Sequence, residues 1–420
     1  MSYSGDIQNF LSPALLYTFN NTLVDAVSGS SLWGAGSSDF ATTLISRDTT
    51  HSLRTNATSE NPALTTVDPW TQGNPKKFWC MWYRVSAIQG PPVCVYREGG
   101  SSAGFALILW AGNNIMLQVW DNSGSDLKQV YCDAQLQNNR NYHLAVSIED
   151  DTGGDFVKFY IDGKEQTSSF PTGGLGVTLT KWTGNPEIGN TASGDIPVGD
   201  GVVLLVATVT GNYSHMGYWA ETSGATGSVP AYDDWYEHAF SRGAISEYTI
   251  TSDTEANMQT ALDALSGTVC GDYPLSILVE EVSGGGDLDL TADNITFDPK
   301  SSLHVRYDTT GGTLTWTNDN GSDASIGTSG VTFINNFNLT FTNVKNPTEI
   351  RVFEAGTTTE LAGEEDITGG TFSKTIGASS IDVRIVSLDY KILQYNNLSM
   401  TSDLSISLEQ FYDRNYSNPV

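Results

Sequence analysis

Asn141-Tyr-His-Leu-Ala-Val-Ser-Ile148 and Val157-Lys-Phe-Tyr-Ile-Asp-Gly-Lys164 decide how this chain is read. Both are strand-length runs of β-branched, aromatic and aliphatic residues, and turn formers bound them. Between them stands the acidic, glycine-containing Glu149-Asp-Asp-Thr-Gly-Gly-Asp155, which reads as a solvated reversal. The second run ends in Asp162-Gly163, a pair that supplies the positive φ a two-residue hairpin turn demands. Antiparallel strands are the expectation here.

Moving outward, Phe78-Trp-Cys-Met-Trp-Tyr-Arg-Val-Ser86 is a strand with large residues on both faces. Gly104-Phe-Ala-Leu-Ile-Leu-Trp110 and Asn114-Ile-Met-Leu-Gln-Val-Trp120 flank Ala-Gly-Asn, a hairpin signal. Strands at this spacing, without long helical periodicity, indicate a two-sheet sandwich from about Tyr3 to Thr251. One convincing helix follows, Asp253-Thr-Glu-Ala-Asn-Met-Gln-Thr-Ala-Leu-Asp-Ala-Leu265. Asp253 or Thr254 is placed to cap it, and Met258, Leu262 and Leu265 share a face. It reads as a connector. Short strands resume at Ser276–Val282, Leu303–Tyr307, Thr313–Thr317 and Phe337–Thr342. No fixed-period repeat is visible, although a short stacked-strand piece fits between Gly284 and Phe341. The reading is therefore all-β in three parts: residues 1–251, then 252–344 with the connecting helix and a small β domain, then 345–420.

Composition agrees. A chain of 420 residues is too long for one ordinary core. Its 42 glycines suit tight turns. The net charge of −28 opposes binding to nucleic acid or to an anionic membrane. Solubility alone is the simplest account of that charge. Met1-Ser-Tyr-Ser-Gly-Asp6 has neither the basic nor the apolar region of a secretory signal. The longest apolar run, Gly201–Val209, is far short of the ~20 residues that span a bilayer. It reads as a buried strand, with no membrane insertion. Cys80, Cys94, Cys132 and Cys270 lack metal-ligand spacing and read as buried thiols, with a Cys80–Cys94 bridge as the alternative.

Ordered elements between residues 10 and 250 resemble the laminin-G and concanavalin-like sandwiches. Tyr142-His-Leu-Ala and Tyr160-Ile-Asp-Gly163 match the family's paired strands, and Glu187-Ile-Gly-Asn190 its later strand. Leu16–Asp25 resembles the opening strand, and Asp233–Ser246 the closing strand and turn. Thr191–Tyr232 departs from the pattern as an insertion. The resemblance implies a jelly-roll sandwich. The tail is similar to a module at the ends of bacteriophage virion proteins, frequent in marine phages. Thr348–Glu365, Gly369–Phe372, Asp382–Tyr390 and Tyr412–Pro419 carry that likeness. It implies a virion protein assembled in the host cytoplasm, with capsid or tail proteins as partners. A homo-oligomer, a trimer by expectation, follows the symmetry of such attachment sites.

Catalytic chemistry finds little support. Glu149, Asp150 and Asp151 sit in a solvated turn, where none of the three carboxyls gains the raised pKa of a glycosidase acid. His51, His143, His215, His238 and His304 show no metal spacing, and His143 reads as packed core. No nucleophile elbow, phosphate loop or dinucleotide fingerprint occurs. Laminin-G-like sandwiches often hold Ca²⁺ at the rim, so the resemblance makes Asp121, Asp195 and Asp200 candidate ligands, with plain solubility as the simpler role. Sugars need aromatic faces and amide or carboxylate loops. Tyr213, Tyr218, Trp219 and Tyr232 lie in or beside the inserted segment and are the candidates for a host-surface glycan. Core packing is the commoner fate of such aromatics. The expectation is a non-enzymatic head or tail appendage; the rivals are a free lectin-like adhesin and a glycan-degrading enzyme.

Overall fold

The computed structural model describes every residue from 230 to 412 except 272, 281–285, 300 and 379. Before 230 it describes 2–13, 15–20, 24, 26–27, 32–33, 40–42, 45–47, 50–55, 63–64, 76–85, 93–100, 103–110, 114–120, 127–149, 157–169, 187–188, 195–198, 201–204 and 211–220. The protein is all-β with a few short helical segments. It divides into two compact units. One is Met1–Ser246 with Asp272–Leu275 and Lys300–Leu303, and the other is Glu247–Gly271, Ser276–Pro299 and His304–Val420.

Among the described residues, the first unit holds two eight-stranded sheets. The first runs Lys164–Gln166, Val157–Ile161, Asn141–Glu149, Lys76–Val85, Gly211–Ala220, Ser52–Thr55 and Phe40–Ala41, with Leu15–Tyr17 also pairing Gly211–Ala220. The second runs Ser168–Ser169, Leu127–Gln135, Asn114–Trp120, Ala103–Trp110, Val93–Gly100, Glu187–Ile188, Ala63–Leu64 and Leu32–Trp33. Leu107 and Ile115 of the second sheet meet Leu144, Val146, Phe159 and Ile161 of the first around a small interior space. That contact makes the sandwich. The hairpin read from Asp162-Gly163 forms as expected: Ile161 faces Lys164, and the two turn residues have φ of 48° and 73°.

The other face of the first sheet is also covered, which explains why Lys76–Val85 carries aromatics on both sides. Tyr3–Leu11 and Tyr232–Gly243 are helical there. The second segment corrects the expected closing strand at Asp233–Ser246. Trp235, Ala239 and Phe240 recur at helical spacing and are buried together, and Asp233 and Asp234 suit a helix's first turn. Strand structure returns only at Ser246–Ile250. The supposed insertion also contributes structure: Gly211–Ala220 is an interior strand of the first sheet, and Asp195–Val198 pairs with Gly201–Leu204.

Cys80, Cys132 and Cys270 are buried thiols outside any disulfide, so no Cys80–Cys94 bridge forms. Burial pushes the Cys132 and Cys270 thiols up to about 11. Thiolate is the reactive form. We expect all three to stay silent toward Ellman's reagent at pH 8 and to react promptly in guanidinium. Rapid native labelling of any of them would contradict their burial.

The second unit opens with stacked strands. Leu288–Asp293, Leu314–Asp319 and Val331–Asn335 run parallel in register, with Leu288 beside Leu314 and Leu314 beside Val331. Val269–Cys270 pairs in parallel with Thr296–Phe297, and Val305 bridges Gly327. Their core includes Ile277, Val279, Leu290, Val305 and Trp316. The helix Glu255–Asp263 does more than connect. Thr254 caps it, its Oγ1 accepting from Asn257 N at 3.3 Å, and Met258 and Leu262 are buried. Its Gln259 amide exchanges two 2.8 Å bonds with the Thr291 backbone, while Glu255 accepts from Asp289 N at 3.5 Å. Residues four apart on a helix and two apart on a strand have similar spans of about 6–7 Å. The helix thereby satisfies the free edge of Leu288–Asp293, which would otherwise invite pairing with other chains.

A small sandwich follows. One sheet is Thr371–Ile376, Phe337–Thr342 and Leu404–Ser407; the other is Glu360–Glu364, Thr348–Glu354, Ser380–Ser387 and Leu393–Ser399. Leu339, Phe341 and Phe372 from the first pack with Ile350, Val352 and Val383 from the second. The strand Phe337–Thr342, ahead of residue 345, is part of this core.

Candidate functional site

Side-chain parity along the second sheet of the first unit locates a polar row. Ile115 points into the sandwich, so Met116 and Gln118 point away from it. Gln118 is flanked by Ala106 on one neighbouring strand and Gln129 on the other, and cross-strand partners share a face. Tyr131 stands opposite Met116 on that same face. The row descends from solvent: Tyr131 is 38% exposed, Gln129 is half-buried, and Gln118 is 0% exposed.

Tyr131 OH donates to Gln129 Oε1 at 2.7 Å. Gln129 Nε2 and both amide atoms of Gln118 are buried without a hydrogen-bond partner among the described residues. Each such orphan costs about 1–3 kcal/mol. Leucine or methionine would fill the same volume at no such cost, so packing alone gives no reason for glutamine. The set offers two amide donors, one amide acceptor and a partly exposed aromatic ring. That is the equipment for holding a polyhydroxylated ligand.

The opposite side of the unit is aromatic and mostly closed. Trp82 donates through Nε1 to Tyr3 OH at 2.9 Å, and Tyr3 OH donates to the Ala239 carbonyl. His143 is buried between Trp82, Trp235 and Phe240, with ring centroids at 4.9, 5.5 and 5.9 Å. It is core, as read. His238 stacks on Phe10 at 4.1 Å, and Arg242 pairs with Glu237 at 3.2 Å and Asp6 at 3.8 Å. These contacts tie the two helical segments together.

Of the four aromatic candidates, Tyr232 has a described side chain. Tyr232 is exposed, its OH donating to the Gly163 carbonyl and its ring beside Tyr160 and Tyr236. Tyr213, Tyr218 and Trp219 have their backbones in the interior strand Gly211–Ala220, opposite Tyr83, Trp79 and Phe78 respectively. The side chains of Tyr213, Tyr218 and Trp219 lie outside the described part. Asp121 and Asp200 lie outside the described residues, and Asp195 is described only in its backbone, which pairs with Leu204. Among the described residues, no three His, Cys, Asp or Glu side chains gather into a metal-holding group.

Asp162 is a buried carboxylate with a local job. It accepts from His143 N at 2.7 Å and meets Arg140 Nη2 at 3.2 Å. Burial pushes its carboxyl up to about 6, against the downward pull of Arg140, the His143 N–H, Ser302 and Lys164. A pKa raised in the fold means stability that is complete below the unfolded value of about 4 and lost as pH rises through 6. Acidification from pH 7 to 4 should therefore stabilise the native chain relative to Asp162→Asn, by up to about 3 kcal/mol. Denaturant melts of the two proteins across that range check this; a constant difference would contradict it.

Residues 76–203, less than a third of the chain, match the laminin-G type of the concanavalin A-like lectin/glucanases superfamily. No curated protein matches the chain. Among solved structures, the botulinum neurotoxin serotype G binding domain is similar at 12% identity and TM-score 0.38, over 54% of this chain and 50% of that one. The serotype D binding domain is similar at 15% and 0.40, over 59% and 55%. The carbohydrate-binding module of a Ruminococcus gnavus IT-sialidase is similar at 12% and 0.28, over 39% and 82%. The chain thus spans about half the length of the toxin domains. At these identities and TM-scores no residue or ligand is carried across.

Gln118, Gln129 and Tyr131 were not among the candidates read from sequence. A signal existed: Gln118 interrupts the apolar run Ile-Met-Leu-Gln-Val-Trp. Its pairing with Gln129, however, depends on a register set through residues 121–126, which local sequence does not reveal.

Proposed function

We propose that this chain is a non-enzymatic, saccharide-binding display protein of a bacteriophage particle. The row Gln118–Gln129–Tyr131 carries the binding part of this reading, because its buried amide atoms lack partners that a bound hydroxylated ligand supplies. The match of residues 76–203 with a superfamily of lectins and glucanases supports it from another direction. The virion part rests on the tail's resemblance between 345 and 420 to phage structural modules. In this scheme the sandwich is displayed outward, and the C-terminal small sandwich joins the particle, with copies arranged as a trimer.

Two measurements test the proposal. The fluorescently labelled full chain, applied to a glycan array, is expected to bind at least one saccharide, and a blank array would overturn the binding part. Mass spectrometry of density-purified particles should find the chain at a fixed ratio to the major capsid protein. Its absence from clean particles would leave a free lectin-like adhesin as the better reading.

A further inference from the structure

Resting on the saccharide-binding reading above, we infer that the Gln118–Gln129–Tyr131 row takes a neutral sugar through a pair of adjacent hydroxyls and disfavours acidic sugars. The hydrogen-bond inventory decides the ligand class. Gln118 presents an unpaired acceptor, Oε1, and an unpaired donor, Nε2, at one buried spot; Gln129 adds a second unpaired donor beside it. A hydroxyl both donates and accepts, so two vicinal hydroxyls can answer all three atoms. An ionised carboxylate or phosphate only accepts. Seated there, it would leave Gln118 Oε1 facing a negative charge in a buried position.

The surroundings push the same way. Tyr131, partly exposed at the rim and held by its bond to Gln129, offers a ring for the C–H face of a pyranose. A chain of net charge −28 repels an anion before contact is made. The competing account is a resident water that meets the same amide atoms. The two accounts differ in what happens when the amide is removed.

The test is calorimetric titration of the full chain with array-positive sugars, each beside the uronate of the same ring. The neutral sugar should bind more tightly than its uronate, and added salt should narrow the gap. Gln118→Leu, which keeps the volume, should weaken the neutral sugar roughly tenfold or more while leaving the melting temperature equal or higher. Tyr131→Ala, at the tolerant rim, should also weaken binding. Neutral-sugar affinity unchanged in both variants would overturn the inference, and so would tighter binding of the uronate. Tighter binding of the uronate leaves saccharide binding at this row standing. Unchanged affinity in both variants leaves saccharide binding by the chain but moves it away from this row, and failure to bind any saccharide sinks the binding reading itself. A Gln118→Leu chain that misfolds passes the decision to Tyr131→Ala alone.

Discussion

Trp82→Ala should lower the unfolding free energy of the first unit by about 3–5 kcal/mol. Trp82 is fully buried, with its indole edge-on to His143 and stacked near Phe240 at 6.1 Å. Removing the ring leaves a cavity lined by aromatics that belong to three separate segments, so collapse around it is difficult. The loss also removes the hydrogen bond that Tyr3 OH accepts from Trp82 Nε1. Tyr3 in turn holds the Ala239 carbonyl, and the N-terminal helical segment is expected to loosen as a consequence. Trp82→Phe separates the contributions: it keeps a ring but no N–H, and should cost less. Urea unfolding of the three proteins measures the ladder. A loss below about 1 kcal/mol for the alanine variant would mean that the helical cover does not pack on the sheet as described.

Gly163→Ala should cost about 2–4 kcal/mol, for two additive reasons. Gly163 has φ of +73°, a left-handed conformation that side chains disfavour by about 1–2 kcal/mol. A Cβ there would also lie 2.6 Å from both Phe240 Cδ1 and Tyr236 Cε2, within the buried aromatic cover. Gly356→Ala is the control. Its φ is +72°, but nothing lies within 4 Å of the added carbon, so only the conformational part remains. Thermal melts should place Gly163→Ala clearly below Gly356→Ala. Equal shifts would remove the steric part of the argument and with it the close packing of Tyr232–Gly243 on the hairpin.

What sequence reveals here follows from how local each feature is. The Asp162-Gly163 turn was readable because two adjacent residues determine it. The strands Lys76–Val85 and Asn141–Glu149 were readable because their apolar content is dense. Thr254 and the buried Met258 and Leu262 made the Glu255–Asp263 helix legible, yet its pairing with Thr291 required knowing which strand edge lay open. Asp233–Ser246 misled because its aromatic spacing suits a helix while its order in the chain suits a closing strand. The stacked strands were legible as a short piece between Gly284 and Phe341 but not as a repeat, because the steps from Leu288 to Leu314 to Val331 are unequal. Most aromatics described in the first unit build its core, the commoner fate of such residues in a β protein. The polar row was hidden in plain composition: a glutamine inside an apolar strand says nothing until register sets a second glutamine beside it.

The saccharide is proposed to sit at Gln118, on the side of the second sheet that points away from the sandwich. Hydrogen–deuterium exchange of the full chain, with and without a saturating oligosaccharide, tests this most directly. Slowed exchange is expected in Asn114–Trp120 and Leu127–Gln135, with Tyr232–Gly243 and the second unit unchanged. Protection confined to Tyr232–Gly243 or to the C-terminal sandwich, with none in those two strands, would contradict it.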